Sequence, residues 1–198
     1  MQNVIKNILF STDRACLYLL NSFAGRFGSL DELFVMLAEG VIFALAGAYL
    51  MYLYKSSKSS NRILLLSEAF ISTLIARFVF VTGIRLLYFR FRPFVSENVV
   101  QLVAHSPLEA SFPSGHAAVM AALAVSMWYM NRRLGVLFAI FAVVSGFARV
   151  VVGIHYPLDI FVGLLCGVVA AVIARKLYRV VVEEVRELST KTTKKSKK

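Results

Sequence analysis

Cysteine is nearly absent from this chain, which contains two in 198 residues. Cys16 and Cys166 lie far apart and match no spacing typical of a zinc site, a redox motif or a disulfide framework. We interpret both as small apolar residues. Charged residues are also scarce, at 17% where roughly 25% is usual, and hydrophobic residues make up 59% of the chain. A soluble globular domain is therefore excluded, and the composition predicts an all-α protein that crosses a membrane several times.

Acidic residues are scarcer still, with 11 Asp and Glu against 22 Lys and Arg, so the net charge is +11. Such an excess could indicate nucleic-acid binding, and the positions of the charges decide. Fourteen of the 22 basic residues fall after the first, third and fifth predicted spans, on one side of the membrane. The positive-inside bias makes that side cytoplasmic. The charge thus needs no nucleic acid, and the basic tail is expected to contact anionic lipids at the cytoplasmic face.

The apolar stretches predict three regions. Residues 1–30 contain too many charges for a span and predict an N-terminal interfacial amphipathic helix. Residues 31–180 form the membrane domain, and residues 181–198 form a basic cytoplasmic tail. Five spans of the membrane domain are predicted at about 31–54, 63–84, 114–130, 134–152 and 157–174, and the second helix could continue through residues 85–92.

Polar residues that could carry chemistry cluster on the side opposite the basic loops. Prolines at positions 113 and 157 predict two helix N-termini at that edge, and such termini attract anions. Arginine side chains hold phosphate oxygens with two parallel hydrogen bonds. The cations of this edge, with the glycine that lets a ligand approach the backbone of the first helix start, predict a phosphate site: Arg85, Arg92, Arg149 and Gly115.

Two histidines stand at these helix starts. His155 and Asp159 are four residues apart, so the carboxylate can orient the imidazole and leave one ring nitrogen free as a nucleophile or base. His116, on the other helix, is placed to give a proton to a leaving oxygen. Individually, such residues often only cap helices or reach the interface. Together on one side, they indicate cleavage of a phosphate ester.

The spacing Arg85-x6-Arg92-Pro93, then Pro113-Ser-Gly-His116, then Arg149-x5-His155-x3-Asp159 resembles the three-part signature of the type 2 phosphatidic acid phosphatase superfamily. That superfamily shares its site with vanadium haloperoxidases, so the resemblance implies an acid phosphatase/vanadium haloperoxidase-like core. It also implies that His155 forms a phosphohistidine, that Asp159 orients it, and that His116 is the general acid. The phosphoryl oxygens would be held by Ser114 together with Arg85, Arg92, Arg149 and the backbone of Gly115. No cofactor or metal is implied. The family usually has lysine where this chain has Arg85.

Within the superfamily, the segments 20–25 and 37–40, and the spacing from residues 92–94 through His105 to residues 111–116, resemble the bacitracin-resistance type of undecaprenyl-diphosphate phosphatases. The resemblance implies hydrolysis of the terminal phosphate of undecaprenyl diphosphate at the outer face of a bacterial inner membrane, which recycles the cell-wall carrier lipid. Two alternatives stay open. One is a phosphatase for phosphatidylglycerol phosphate, phosphatidic acid or lipid A, and the other is a lipid-phosphate binder or transporter that performs no hydrolysis.

Ionisable residues inside spans indicate function or pairing. Glu39 and Arg77 lie at similar depths below the predicted site, so we expect that they pair or that Glu39 faces the substrate cavity. Glu68 lies near the cytoplasmic end of its span. His105, in the long loop before residue 111, either covers the site or is solvated.

Overall fold

The computed structural model describes residues 2–56 and 59–196, which form helices and connecting loops without a strand. The helices are, in order, α1 Gln2–Asn21, α2 Gly28–Glu39, α3 Val41–Ser56, α4 Ser59–Leu74, a π-helix Ile75–Val81, α5 Thr82–Leu87, α6 Pro93–Ser96, α7 Gly115–Met130, α8 Arg132–Val151 and α9 Pro157–Ser196. The predicted all-α fold is confirmed. Helix α9 continues as far as Ser196, into the predicted basic tail.

Three of these helical stretches are long and apolar enough to cross a membrane: 65–87, 132–151 and 157–180. The pair α2 and α3 makes a fourth if the two helices are one bent span, and α7 is apolar but has only 16 residues. These stretches coincide with the five predicted spans, and the chain is a multi-pass membrane protein. The number of five spans stays a prediction.

The first predicted span is broken. Helices α2 and α3 meet at Gly40 with a bend of 50°, where a continuous helix over residues 31–54 was predicted. A Cβ atom at Gly40 would lie 2.8 Å from the carbonyl oxygen of Met36, so this close approach requires glycine. The break leaves Ala38 and Glu39 at a helix end next to α8.

The second span changes its winding at the level of the site. Residues 75–81 form a π-helix, in which the backbone N–H of Thr82 donates to the carbonyl of Arg77. Such wider turns occur mostly at functional sites, because they displace one residue from the regular helical register. The helix ends at Leu87, so the predicted continuation through Arg92 is wrong. Proline disfavours helical geometry in the residue before it, and Arg92 before Pro93 is extended, with φ −69° and ψ 152°.

Helix α7 is the centre of the bundle and packs against α8, α9 and α4. Its buried side is built of alanines, and two glycines of α9 face it. A Cβ atom at Gly167 would lie 2.1 Å from the carbonyl oxygen of Ala118, so the two backbones touch. Small residues allow such contacts between apolar helices. As a result, the N-termini of α7 and α9 lie side by side, and the N–H of Ser114 donates to the carbonyl of Asp159 at 2.9 Å.

Helix α1 packs against α8 and α9 by one side only. Leu17 and Asp13 are buried on that side, and Asn21 donates to the carbonyls of Val100 and Val151 at 2.8 Å each. The large apolar residues of the other side, among them Ile8 and Leu9, are exposed. The helix is amphipathic as predicted, and its position in the membrane stays a prediction. At the opposite end of the bundle, Glu68 is buried and pairs with Arg175 of α9.

Candidate active site

One polar pocket lies where the ends of α5, α7, α8 and α9 meet the extended segment before α6. Its volume is about 110 Å³. The lining residues are four arginines, three histidines, one glutamate and one glycine: Arg77, Arg85, Arg92, Arg149, His105, His116, His155, Glu109 and Gly115. The fold therefore brings both helix-start histidines and the three signature arginines to one place.

His155 lies against Asp159, with Nδ1 3.4 Å from Oδ2. Both side chains are almost fully buried. Since the carboxylate takes Nδ1, the nitrogen left for a ligand is Nε2. Burial lowers the pKa of His155 to about 3, Arg149 and Arg92 add to this effect, and Asp159 opposes it. The imidazole is therefore neutral near pH 7, the form in which a ring nitrogen can attack phosphorus.

Asp159 is held at every polar atom. Its Oδ2 also accepts from the backbone N–H of Tyr156 at 2.9 Å and from the hydroxyl of Ser111. Its Oδ1 accepts from Nη1 of Arg90 at 2.9 Å. Hydrogen bonds to a buried carboxylate stabilise its charged form. The carboxylate is consequently fixed in both position and charge next to His155.

Each of the three signature arginines uses one arm of its guanidinium to hold a backbone carbonyl. Arg85 donates to Pro113 at 3.0 Å, Arg92 to Ile154 at 3.2 Å, and Arg149 to Ala38 at 2.7 Å. Their Nε atoms are buried and have no acceptor among the described residues. Because buried donors are nearly always paired in native proteins, these Nε atoms are available to an anionic ligand in the pocket.

The N-terminus of α7 contributes His116 and a glycine. Ser114 caps this helix, its hydroxyl accepting from the N–H of Ala117 at 3.5 Å, and its buried side chain lies behind the pocket lining. Gly115 lies in the lining, where a Cβ atom would be 3.3 Å from Cδ and Nε of Arg77. The side chain of Arg77 thus lies directly over the helix start.

Glu39 faces the pocket residues and does not pair with Arg77. Its Oε1 lies 3.0 Å from Nη1 of Arg149, and its Oε2 lies 4.0 Å from Nε2 of His116. His105 lies on the same side, with Nε2 3.7 Å from Oε1 of Glu39. Of the two expectations for Glu39, the structure therefore favours the cavity, and of the two for His105 it favours a position over the site.

Four further residues lie in or next to the site and were not predicted from the sequence: Ser111, Glu109, Arg90 and Asp13. Glu109 pairs with Arg92 at 3.1 Å. Arg90 lies behind Asp159, outside the pocket lining, whereas Arg85 lies within it. Only Ser111 carried a local signal, because it directly precedes the Phe112-Pro-Ser-Gly-His116 stretch.

Among the described residues, no group of three or more His, Cys, Asp or Glu side chains could hold a metal ion.

The PAP2 superfamily model matches residues 65–182, which include every residue of the three-part signature. The chain belongs to the PAP2 superfamily. This membership makes it a hydrolase of the phosphatase type.

Relatives of this PAP2 protein agree with the assignment. The undecaprenyl-diphosphatase BcrC of Bacillus subtilis is 33% identical over 71% of this chain and 70% of its own. A Bacillus licheniformis protein named bacitracin transport permease protein BcrC is 27% identical over 77% of this chain and 73% of its own. The crystal structure of Aquifex aeolicus LpxE superimposes with a TM-score of 0.66, covers 82% of this chain and 93% of its own, and is 24% identical. The last comparison shows a shared fold.

Proposed function

We propose that this protein is an integral-membrane lipid phosphatase that hydrolyses the terminal phosphate of undecaprenyl diphosphate and so recycles the cell-wall carrier lipid. The observation that carries the proposal is that His155, which Asp159 orients, lines the same pocket as His116 and three arginines whose Nε atoms have no acceptor among the described residues. The relation to the undecaprenyl-diphosphatase of Bacillus subtilis supports this substrate.

The proposed reaction has two steps. Nε2 of His155 attacks the terminal phosphorus, and the bond from phosphorus to the bridging oxygen breaks, which forms a phosphohistidine. His116 gives its proton to that oxygen, so the lipid leaves as undecaprenyl phosphate. A water molecule then attacks the phosphorus of the phosphohistidine, and His116 takes a proton from that water. The phosphorus–nitrogen bond breaks, and inorganic phosphate leaves. Nδ1–H of His155 stays hydrogen-bonded to Asp159 throughout, which stabilises the positive charge that forms on the ring.

The arginines supply the electrostatic part of this mechanism. Arg85, Arg92 and Arg149 already hold backbone carbonyls, so their remaining N–H groups are fixed before the substrate arrives. Fixed donors stabilise charge on phosphoryl oxygens without reorganisation during the reaction. Gly115 allows the phosphoryl group to approach the start of α7, and Ser114 holds that helix start by capping it.

Arg77 and Glu39 are proposed to add substrate preference and proton control. Arg77 lies over Gly115 and brings a fourth arginine to the pocket, which suits the second phosphate of a diphosphate. Glu39, with Oε2 4.0 Å from Nε2 of His116, is proposed to attract the proton that this ring gives to the leaving oxygen and later takes from water.

The proposed orientation places the pocket on the extracytoplasmic side of a bacterial inner membrane. The support is the excess of basic residues in the loops and tail at the other ends of the spans. The headgroup would then enter the pocket while the polyprenyl chain stays in the lipid. The basic tail would contact anionic lipids at the cytoplasmic face.

A second candidate is a transporter or binder of lipid phosphates without hydrolysis. The Bacillus licheniformis relative is named a bacitracin transport permease protein, which supports transport in general and not a lipid phosphate as the cargo. The two candidates differ in their need for a nucleophile, because a binder needs only the arginines. If the protein is a phosphatase, His155→Ala should abolish its activity. If it is a binder or transporter, the same variant should keep most of its affinity for lipid phosphates.

The deciding experiment measures phosphate release by the purified protein in detergent with EDTA present. Substrates are undecaprenyl diphosphate, phosphatidylglycerol phosphate, phosphatidic acid and lipid A, each with wild type and His155→Ala. We expect turnover of undecaprenyl diphosphate to exceed the others and to disappear in the variant, with an acid-labile phosphoprotein seen only in wild type. Equal phosphate release by both proteins would contradict the mechanism. If the wild-type protein hydrolysed another of these lipids faster, that lipid would take the place of undecaprenyl diphosphate as the proposed substrate.

A further inference from the structure

A second charged cluster lies behind Asp159, on the side away from the pocket. Arg90 stands between two carboxylates there, with Nη1 2.9 Å from Oδ1 of Asp159 and Nη2 2.7 Å from Oδ2 of Asp13. The side chains are 11% exposed for Arg90, 1% for Asp13 and 0% for Asp159. One guanidinium thus joins the N-terminal helix to the residue that orients His155.

The Arg90 guanidinium is held from several directions. It lies 3.5 Å above the ring centroid of Tyr156, a distance at which a cation attracts the aromatic face. The other oxygen of Asp13, Oδ1, accepts from the N–H of Leu158 in the first turn of α9 at 2.9 Å. Asp13 therefore fixes Arg90 and the start of the helix that carries Asp159 at the same time.

The backbone of Arg90 fixes the opposite side of Asp159. Its carbonyl accepts from the N–H of Ser111 at 2.8 Å, and the hydroxyl of Ser111 donates to Oδ2 of Asp159. Both carboxylate oxygens are thereby set by contacts that involve Arg90. Neither Arg90 nor Asp13 belongs to the pocket lining, so neither is placed to touch a bound phosphate.

The charges of this cluster suit the reaction. Asp13, Arg90 and Asp159 together carry a net charge of −1, and they lie next to a ring that becomes cationic when its Nε2 attacks phosphorus. Without Arg90, two buried carboxylates would repel each other. Without Asp13, the negative charge that faces the ring would be balanced by Arg90. Burial tends to lower the pKa of Arg90, but Asp159 and Asp13 outweigh it and raise that pKa.

We propose that Asp13 and Arg90 are positioning residues for phosphoryl transfer, which hold the orientation and charge of Asp159 and make the N-terminal helix part of the catalytic apparatus. This inference rests on the proposed function, because it requires His155 to be the nucleophile. The pair acts through Asp159 and not on the substrate.

The test compares Arg90→Gln, Arg90→Lys and Asp13→Asn with wild type in detergent, using undecaprenyl diphosphate. The matched control is Glu68→Gln, which removes an equally buried carboxylate paired with an arginine of α9 at the far end of the bundle. We expect kcat to fall about tenfold or more for Arg90→Gln and about threefold or more for Asp13→Asn, while KM changes less than about threefold. The kcat of Arg90→Lys should lie between those of Arg90→Gln and wild type, because a lysine keeps the charge but cannot bridge two carboxylates. Glu68→Gln should keep wild-type kcat.

Two further measurements separate positioning from stability. In Arg90→Gln the acid limb of kcat/KM should move to higher pH, since loss of a positive charge near Asp159 makes His155 easier to protonate. The charged groups that face His155 and Asp159 are Arg92, Arg149, Arg90 and Asp13, and only the last two are changed. Asp13→Asn should not move the limb upward. In the double variant, Asp13→Asn should add little to the loss caused by Arg90→Gln, because both act through one contact.

Thermal unfolding of every variant shows whether a loss of kcat is accompanied by a lower melting temperature, as it would be if the substitution only destabilised the fold. The inference would be wrong if Asp13→Asn and Arg90→Lys kept wild-type kcat and an unmoved acid limb, whatever their melting temperatures. If Arg90→Gln fails to fold, Asp13→Asn and Arg90→Lys still decide. The outcome for the proposed function is separate: if His155→Ala is inactive and these variants are fully active, only the inference fails. If His155→Ala retains wild-type activity, both fail.

Discussion

Glu39 contacts Arg149 across the bundle, with Oε1 3.0 Å from Nη1, although 110 residues separate them in the chain. The contact exists because the first apolar helix breaks at Gly40 and exposes the end of α2 to α8. The same carboxylate lies 4.0 Å from His116. A single acidic group is thus close to an arginine proposed to bind phosphate and to the proposed general acid.

Glu39→Gln should therefore lower kcat and strengthen anion binding. The amide keeps an acceptor for Arg149 but removes the negative charge that favours protonated His116, so we expect a loss in kcat of about tenfold to a hundredfold. Loss of a negative charge from an anion site should lower the Ki of inorganic phosphate. Steady-state kinetics with phosphate as product inhibitor measure both.

Glu109→Gln is the matched control for that experiment. Glu109 also contributes a negative charge to the pocket, but it pairs with Arg92 and not with His116. Its removal should lower the Ki of phosphate while kcat stays near wild type. If both variants changed kcat equally, Glu39 would have no special relation to the proton donor.

Arg77→Gln should reduce the preference for diphosphates. If Arg77 holds the second phosphate, its loss should lower kcat/KM for farnesyl diphosphate about tenfold more than for farnesyl phosphate, the effect of one charged hydrogen-bond pair. The two substrates have the same tail, so the ratio reports the headgroup alone. Arg85→Gln, which removes a signature arginine, should lower kcat/KM for both substrates by the same factor. An unchanged ratio in Arg77→Gln would remove Arg77 from substrate selection.

The pH dependence should reflect the environment of His155. Its pKa is lowered to about 3, chiefly by burial, so the neutral nucleophile persists down to acid pH. The acid limb of kcat/KM assigned to His155 should thus lie well below 6.5, the value of a free histidine. Nitrogen-15 NMR of labelled histidines should show that the imidazole whose signal disappears in His155→Asn does not titrate between pH 5 and 8. A nucleophile titrating near pH 6.5 would contradict the burial of this site.

Gly153→Ala should destabilise the loop that leads into His155. Gly153 has φ +79°, and a Cβ atom there would lie 2.4 Å from the carbonyl oxygen of Val100. We expect a loss of about 1–3 kcal/mol in stability and a lower kcat, because the residue two positions later is His155. Gly83→Ala is the control, since nothing lies within 4 Å of a Cβ atom in that helix. It should leave activity unchanged and the melting temperature equal or slightly higher. Equal effects of the two substitutions would show that the loop tolerates a side chain.

Much of the site could be predicted because its parts are local. Pro157 at a helix start, the four-residue spacing of His155 and Asp159, and the Pro-Ser-Gly-His stretch each depend on neighbouring residues only. Helical periodicity then places these groups at the ends of apolar segments. The break at Gly40 and the π-helix at 75–81 were not predicted, since the backbone geometry there depends on how the helices pack.

By itself, the sequence determined that this protein is a helical membrane protein of the PAP2 superfamily with cations and histidines at one edge. Those properties depend on composition and on short spacings along the chain, and both can be read from the sequence without its folded structure. Only the tertiary structure decided that Glu39 contacts Arg149 rather than Arg77, and that Asp13 and Arg90 lie behind Asp159. Such partners are set by which helices lie side by side and how they are rotated, and no spacing along the chain determines either.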